Sequence, residues 1–358
     1  MRDNKNEPTA KSIASRISPR KMIYPILIGL GFVGYMIYNN FDVKAFDVVK
    51  FTWNSFFWIM VAILFMAFRD LGYVMRLRIL TNNDFGWKQA LRVIMLWEFT
   101  SAITPSAVGG TGLAIIYVNK EGIGIGRSSA IVMATSFLDE LYFIIMFPLL
   151  ILFLNPGKLF FVEDGLSFAN EFFYFAVIGY SIKLAYIIVL SYGLFKNPRG
   201  LKKLLVGIFK LRFIRKWRYG AAIAGTEIIE SSKELKTKPF SFWLKAFIAT
   251  AFSWTSRYWV VNALFLAFFI VDDHVLLFAR QLVMWIMMLI SPTPGGSGFT
   301  EFVFTEYLGD FLPAIAGISI VMATLWRLIT YYPYLVIGSI IVPPWVKKNF
   351  VPKEKDSE

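Results

Sequence analysis

The chain has 358 residues, 57% of them hydrophobic and 18% aromatic, with a net charge of +13, and its mean hydropathy is +0.58. With no cysteine and one histidine, His274, it can offer no disulfide, thiolate metal site, cysteine nucleophile or paired-histidine haem site. Apolar runs approaching or exceeding twenty residues make it a polytopic, all-α membrane protein, so the basic excess points to loops and anionic inner-leaflet lipid rather than to nucleic acid.

In chain order, residues 1–21 are polar and read as a cytoplasmic tail, with no small-residue cleavage site in the apolar run that follows. Runs long enough to span are Met22 to Tyr38, Trp53 to about Met75, Ser128 to Leu154, Phe172 to Phe195, Phe242 to Ile270 and Pro313 to Val342. Two further runs, Ala90 to Val118 and Leu276 to Leu308, are broken by proline and glycine. Their arms are about a dozen residues, or roughly 18 to 20 Å of helix against a hydrocarbon core of roughly 30 Å.

Charge decides how the broken runs count. The N-terminal tail and the basic connection 196–239 both belong on the cytoplasmic side, together with a C-terminal tail, 343–358, that carries Lys347 and Lys348. Asp42, Asp47, Glu163, Asp164, Asp272 and Asp273 then fall outside. Every loop agrees only if each broken run enters and leaves on one side. The expectation is six full crossings and two re-entrant helical hairpins within one membrane domain, 22–342, with both breaks sheltered by protein or a wet cavity. The stretch "GLKKLLVGIFKLRFIRKWR", from Gly200, is basic and amphipathic and is expected on the inner leaflet surface.

The breaks also repeat. "TPSAVGGTG" from Thr104 and "TPGGSGFTE" from Thr293 superpose at an offset of 189 residues, aligning Thr104 with Thr293, Pro105 with Pro294 and Gly109 with Gly298. The same offset lays "IVMAT" at Ile131 on an identical "IVMAT" at Ile320. An internal duplication is expected, with halves at about 53–154 and 242–342. On the crossing count the halves are inverted, the construction that places a transporter's site at the midplane.

Candidate site residues are the ionisable groups inside apolar runs and the backbone of the breaks. Glu301 is either a helix N-terminal charge or a ligand group. Arg327 either pairs with Glu301 or another acid, or contacts an anion. Glu98 lies about two turns before the first break. Asp139 and Glu140 are adjacent and point in different directions, so one of them can pair with an arginine. Arg257 either pairs with an acid or snorkels. Arg69, Arg76 and Arg78 read as cations flanking a cytoplasmic helix end. Pro105, Gly109 and Gly110 in one break, and Pro294, Gly295, Gly296 and Gly298 in the other, either permit close packing or expose N–H groups to a phosphate or carboxylate. No Gly-Lys-Ser/Thr follows them, so they are not nucleotide loops.

The segments "TPSAVGGTG…EGIGIGRSSAIVMATSFLDEL", "SPTPGGSGFTE" and "WRLITYYPYLVIG" resemble the flippase-like family of lysylphosphatidylglycerol synthase transmembrane regions, which includes the membrane half of the MprF proteins. The likeness covers about residues 22 to 342. Thr111 stands where members of that family often carry an acid, and "ATSFLDEL" lacks an arginine often found before the aspartate. The resemblance implies movement of an aminoacylated or otherwise modified phospholipid, or a polyprenyl-linked lipid, between leaflets of the bacterial cytoplasmic membrane. It implies no synthesis, since the soluble aminoacyltransferase domain of the two-part proteins is absent, and no cofactor. The phosphate is then expected near the half-helix N-termini and Arg327, and a headgroup ammonium near Glu301 and Glu98. An ion-coupled carrier of a small anion or amino acid, and a membrane enzyme on a lipid-linked substrate, are the competing readings.

Overall fold

The computed structural model describes Tyr38 and residues 49–104, 110–154, 156–160, 168–208, 210, 226, 229, 232–288, 293 and 295–350. The N-terminal tail, all but the last residue of the expected crossing Met22 to Tyr38, residues 211–225 of the basic connection, and Pro105, Gly109 and Pro294 lie outside the described residues. Among those described, every element is helical.

Helix α1, Trp53–Leu80, starts at a capping box: the Thr52 hydroxyl accepts the Ser55 N–H and the Ser55 hydroxyl accepts the Thr52 N–H, both at 3.3 Å. It continues past the expected end at Met75 as far as Leu80. Arg69 and Arg76 therefore sit within the helix and are buried, 1% and 3% exposed, which corrects their reading as flanking cations. Hydrophobicity marks the lipid-facing stretch of a helix, whereas a protein-facing stretch can carry charge as long as a partner meets it.

Among the described residues, three helical stretches are long and apolar enough to cross a membrane: α1, α4 (Ile125–Phe153), and Ile318–Phe350. The protein is thus a multi-pass membrane protein. Helix α6, Phe168–Phe195, has its apolar portion at Val177–Tyr192. Helix α8, Phe240–Leu266, has comparable length at 27 residues, but Lys245, Arg257, Asn262 and a series of serines and threonines lower its hydropathy. Several of its polar groups face inward, with Thr250, Ser253, Ser256 and Asn262 all buried, while Lys245 is exposed. Helices α1 and α8 pack along their lengths, closest at Gly72, where a Cβ would lie 2.8 Å from the Ser253 Cβ and 2.9 Å from the Ala249 carbonyl.

Each broken run forms two helices that pack on one another. The first pair is α2 (Trp87–Ile103) and α3 (Thr111–Lys120), followed after a short turn by α4. Beyond α4 come the short α5 (Pro156–Phe160), α6, and the basic helix α7 (Pro198–Ile208). The second pair is α9 (His274–Met288) and α10 (Phe299–Leu308). Asp273 starts α9 by accepting the N–H groups of Val275 and Leu276 at 3.1 and 2.9 Å.

The expected run Pro313 to Val342 is not one helix. Pro313 lies in the connection after a 3-10 turn at Gly309–Phe311, and the helix starts only after Gly317, at φ +86°. It then divides into α11 (Ile318–Thr330) and α12 (Tyr332–Phe350) at Tyr331. Pro333 accounts for the division, since it has no N–H to donate and its ring crowds the carbonyl one turn back.

Gly338 is where α12 meets α2. A Cβ there would fall 2.1 Å from the ring of Phe99, which is itself fully enclosed. Gly338→Ala is expected to lower stability by about 1–3 kcal/mol through overpacking. The check is a melting curve of the purified protein, in which an unshifted midpoint would show that α2 and α12 yield freely.

Candidate functional site

The two breaks touch through their main chains. The Gly295 N–H donates to the Thr104 carbonyl at 3.2 Å. Next to this contact, the Tyr331 hydroxyl donates to the Ala102 carbonyl at 3.1 Å, an acceptor that the end of α2 leaves free. A Cβ on Gly295 would lie 2.4 Å from the Tyr331 ring and 2.7 Å from the Ala102 carbonyl, at φ +57°. Glycine is required there by both space and backbone angle. Gly110 closes against α2 in a similar way, 2.9 Å from the Ser101 hydroxyl to where its Cβ would stand.

Glu301 and Arg327 form a buried pair at 2.8 Å, with side chains 2% and 7% exposed. The other carboxylate oxygen of Glu301 accepts the Gly298 N–H at 2.7 Å. Arg327 also donates to the Gly295 carbonyl at 3.0 Å and stacks over Tyr331, 4.2 Å from the ring centre. The Gly296 N–H goes to the Thr293 carbonyl at 3.0 Å. The second break thus satisfies the N–H groups of Gly296 and Gly298 internally, that of Gly295 goes to the first break, and Glu301 caps α10. The expectation that these donors and Arg327 are open to a phosphate does not match this arrangement, since backbone carbonyls take the Gly295 and Gly296 N–H groups and the Glu301 carboxylate takes both the Gly298 N–H and Arg327.

Glu98 belongs to a second cluster, one turn before Ala102 on α2. Arg69, buried on α1, reaches Glu98 at 2.5 Å and Asp70 at 2.8 Å through different nitrogens. The Tyr334 hydroxyl, from α12, lies 2.9 Å from each oxygen of Asp70. The arginine is 1% exposed while both carboxylates keep 21%, so the accessible part of the cluster is acidic. Sequence reasoning missed Asp70 and Tyr334. The one available signal was that Arg69 and Asp70 lie inside the apolar run, before its expected end at about Met75.

Tyr73 carries the network onward, with Arg69 on one side at 4.5 Å and Arg76 at 4.7 Å. Arg76 pairs with Asp139 at 2.5 Å, and the Trp254 indole donates to the same Asp139 oxygen at 2.6 Å. Asp139 is therefore held by α1 and α8 together. Its neighbour Glu140 turns away and pairs with Lys183 of α6 at 2.5 Å. Arg257 lies over Trp254 and Trp285, 5.5 and 5.6 Å from their ring centres. Once Arg69, Arg76 and Lys183 are counted with Arg257 and Arg327, the described interior carries no surplus of acids over bases.

The arrangement defines a multi-pass helical membrane protein whose interior is built from paired charges and two touching helix breaks. The family described as "Lysylphosphatidylglycerol synthase TM region" matches residues 22–338, and the chain belongs to it. It is also similar to a UPF0104 membrane protein of Archaeoglobus fulgidus, 25% identical over 309 residues, covering 82% of this chain and 89% of the relative.

Proposed function

We propose that the protein is a translocase that carries a modified phospholipid, or another lipid with a polar charged headgroup, between the leaflets of a cytoplasmic membrane. The observation that carries this reading is the charged interior. Glu98, Arg69 and Asp70 sit within largely apolar stretches of α1 and α2, adjoin the joined breaks, and leave carboxylate surface accessible. Intramembrane ionisable groups of this kind are costly unless a polar cargo or a proton uses them. Family membership supports a lipid role, and the reading is transport rather than synthesis because the matching family is a transmembrane region.

Two finer features belong to the same proposal. The broken runs are read as re-entrant hairpins, which explains how α3 and α10, ten residues each, are accommodated at membrane depth. The halves are read as an inverted repeat: α1, α2, α3 and α4 start at Trp53, Trp87, Thr111 and Ile125, while α8, α9, α10 and α11 start at Phe240, His274, Phe299 and Ile318. These starts follow the 189-residue offset to within a few residues in every case. With both termini and the basic connection cytoplasmic, α7 would lie on the anionic inner leaflet.

The test is reconstitution into liposomes with head-labelled lipids of cationic, zwitterionic, anionic and neutral type, followed by leaflet-specific quenching. Wild-type protein is expected to speed exchange of at least one charged lipid, and Glu98→Gln to slow it about tenfold or more, in line with loss of a charge-assisted contact. Exchange no faster than in protein-free vesicles for every lipid, together with uptake of a small anion or amino acid, would replace this reading by that of a soluble-solute carrier.

A further inference from the structure

Arg257 stands apart from the other cations of the interior. Arg69, Arg76, Lys183, Arg280 and Arg327 each have a carboxylate partner. Arg257 has neither an ion pair nor a hydrogen-bond acceptor among the described residues, and its recorded contacts are the faces of two tryptophans. It does not point to lipid. The residues three and four positions to either side on α8 are Ser253, Trp254, Val260 and Val261, and all are buried. Nor is it near the helix end, which lies roughly 14 Å further along the axis. Its side chain is partly accessible, and its guanidinium nitrogens are not sealed off.

A guanidinium has five N–H donors and no acceptor, and an unpaired one inside a membrane protein is costly. The two indoles offset part of that cost and fix the plane, since Trp254 and Trp285 pack at 5.0 Å with a 63° tilt and Arg257 lies over both. Asp139, which the Trp254 indole reaches, is already held by Arg76 and by Trp254 itself. What this seat lacks is an anion with several acceptor oxygens. Opposite in sign, the Asp70–Glu98 cluster lies just beyond Tyr73, whose ring is 6.3 Å from that of Trp254. The interior therefore has one basic pole and one acidic pole, with two aromatic rings between them.

We propose that Arg257, seated on Trp254 and Trp285, binds the phosphodiester of the transported lipid. This deepens the translocase reading and rests on it. The experiment measures binding in detergent rather than transport, so the two can fail separately. Phosphatidylglycerol, diacylglycerol with the same chains, and inorganic phosphate are titrated against purified wild type, Arg257→Gln, Arg257→Lys and Trp285→Phe, with tryptophan fluorescence as the readout.

Wild type is expected to bind phosphatidylglycerol about tenfold or more tightly than diacylglycerol. Arg257→Gln is expected to lose that preference, and Arg257→Lys to keep part of it. Trp285→Phe should diminish the fluorescence change. Equal binding of the two lipids by wild type would overturn the proposal without reference to any variant, so a variant that fails to fold does not protect it. Equal phosphatidylglycerol affinity in wild type and a folded Arg257→Gln would also overturn it, as would inorganic phosphate binding at Arg257 in the absence of lipid binding. Lipid exchange that fails in liposomes while the binding pattern holds would instead refute the translocase reading.

Discussion

Arg69→Met is expected to cost about 3–5 kcal/mol, enough to prevent much of the protein from accumulating in a folded state. The arginine is the counter-charge for two carboxylates at once, and it reaches them through separate nitrogens at 2.5 and 2.8 Å. Its removal would leave Glu98 and Asp70 facing each other across an apolar interior, with only the Tyr334 hydroxyl as a donor to Asp70. Arg69→Lys should be intermediate, because a single ammonium cannot bridge both acids with the planar spacing of a guanidinium. Adding Glu98→Gln to Arg69→Met should recover part of the loss, with a coupling of about 1–3 kcal/mol. Melting midpoints and folded yield from size-exclusion profiles provide the check. An Arg69→Met protein that melts within about 1 kcal/mol of wild type would show that the carboxylates do not depend on the arginine.

The second large effect is expected at Glu301 and Arg327. Either Glu301→Ala or Arg327→Met alone should cost about 3–5 kcal/mol, because each leaves its partner buried and unpaired. Glu301→Gln should be milder than Glu301→Ala by about 1 kcal/mol, since its amide oxygen can still accept the Gly298 N–H. The double variant Glu301→Gln/Arg327→Met should be more stable than the sum of its parts. Strict additivity in melting experiments would mean that the pair does not act as a unit. These expectations change how Glu301 should be used in transport experiments. A loss of activity in Glu301→Gln has a structural explanation available, whereas a loss in a folded Glu98→Gln implicates a group with accessible surface.

The two breaks were legible because proline and glycine interrupt otherwise regular apolar periodicity, and the structure ends α2 at Ile103 and starts α10 at Phe299 accordingly. The pairing of Arg327 with Glu301 was one of two readings open from sequence, and it is the one found. Arg69 was misread because an apolar run reports where lipid contact ends. Helix α1 outlasts that run by leaving lipid and entering protein, so its charges move from the interface to the interior. The division of the last run at Tyr331 was legible in principle from Pro333. The partners Asp70–Tyr334 and Glu140–Lys183 join residues far apart in the chain, which periodicity and local spacing do not relate.

The contact between the breaks is made by an amide and a carbonyl, with a glycine whose missing Cβ is filled by its neighbours. Gly295 apart, a joint of this kind uses no side-chain atom, so it does not depend on which side chains surround it. On the proposed translocase reading, cargo preference and the coupling of the two breaks are therefore separable. On that reading Arg257, Asp70 and Glu98 could be exchanged to suit a different headgroup while the two breaks continue to meet through the same pair of backbone atoms. Anyone seeking to re-engineer what the protein carries should alter the charged poles and leave Gly295 untouched.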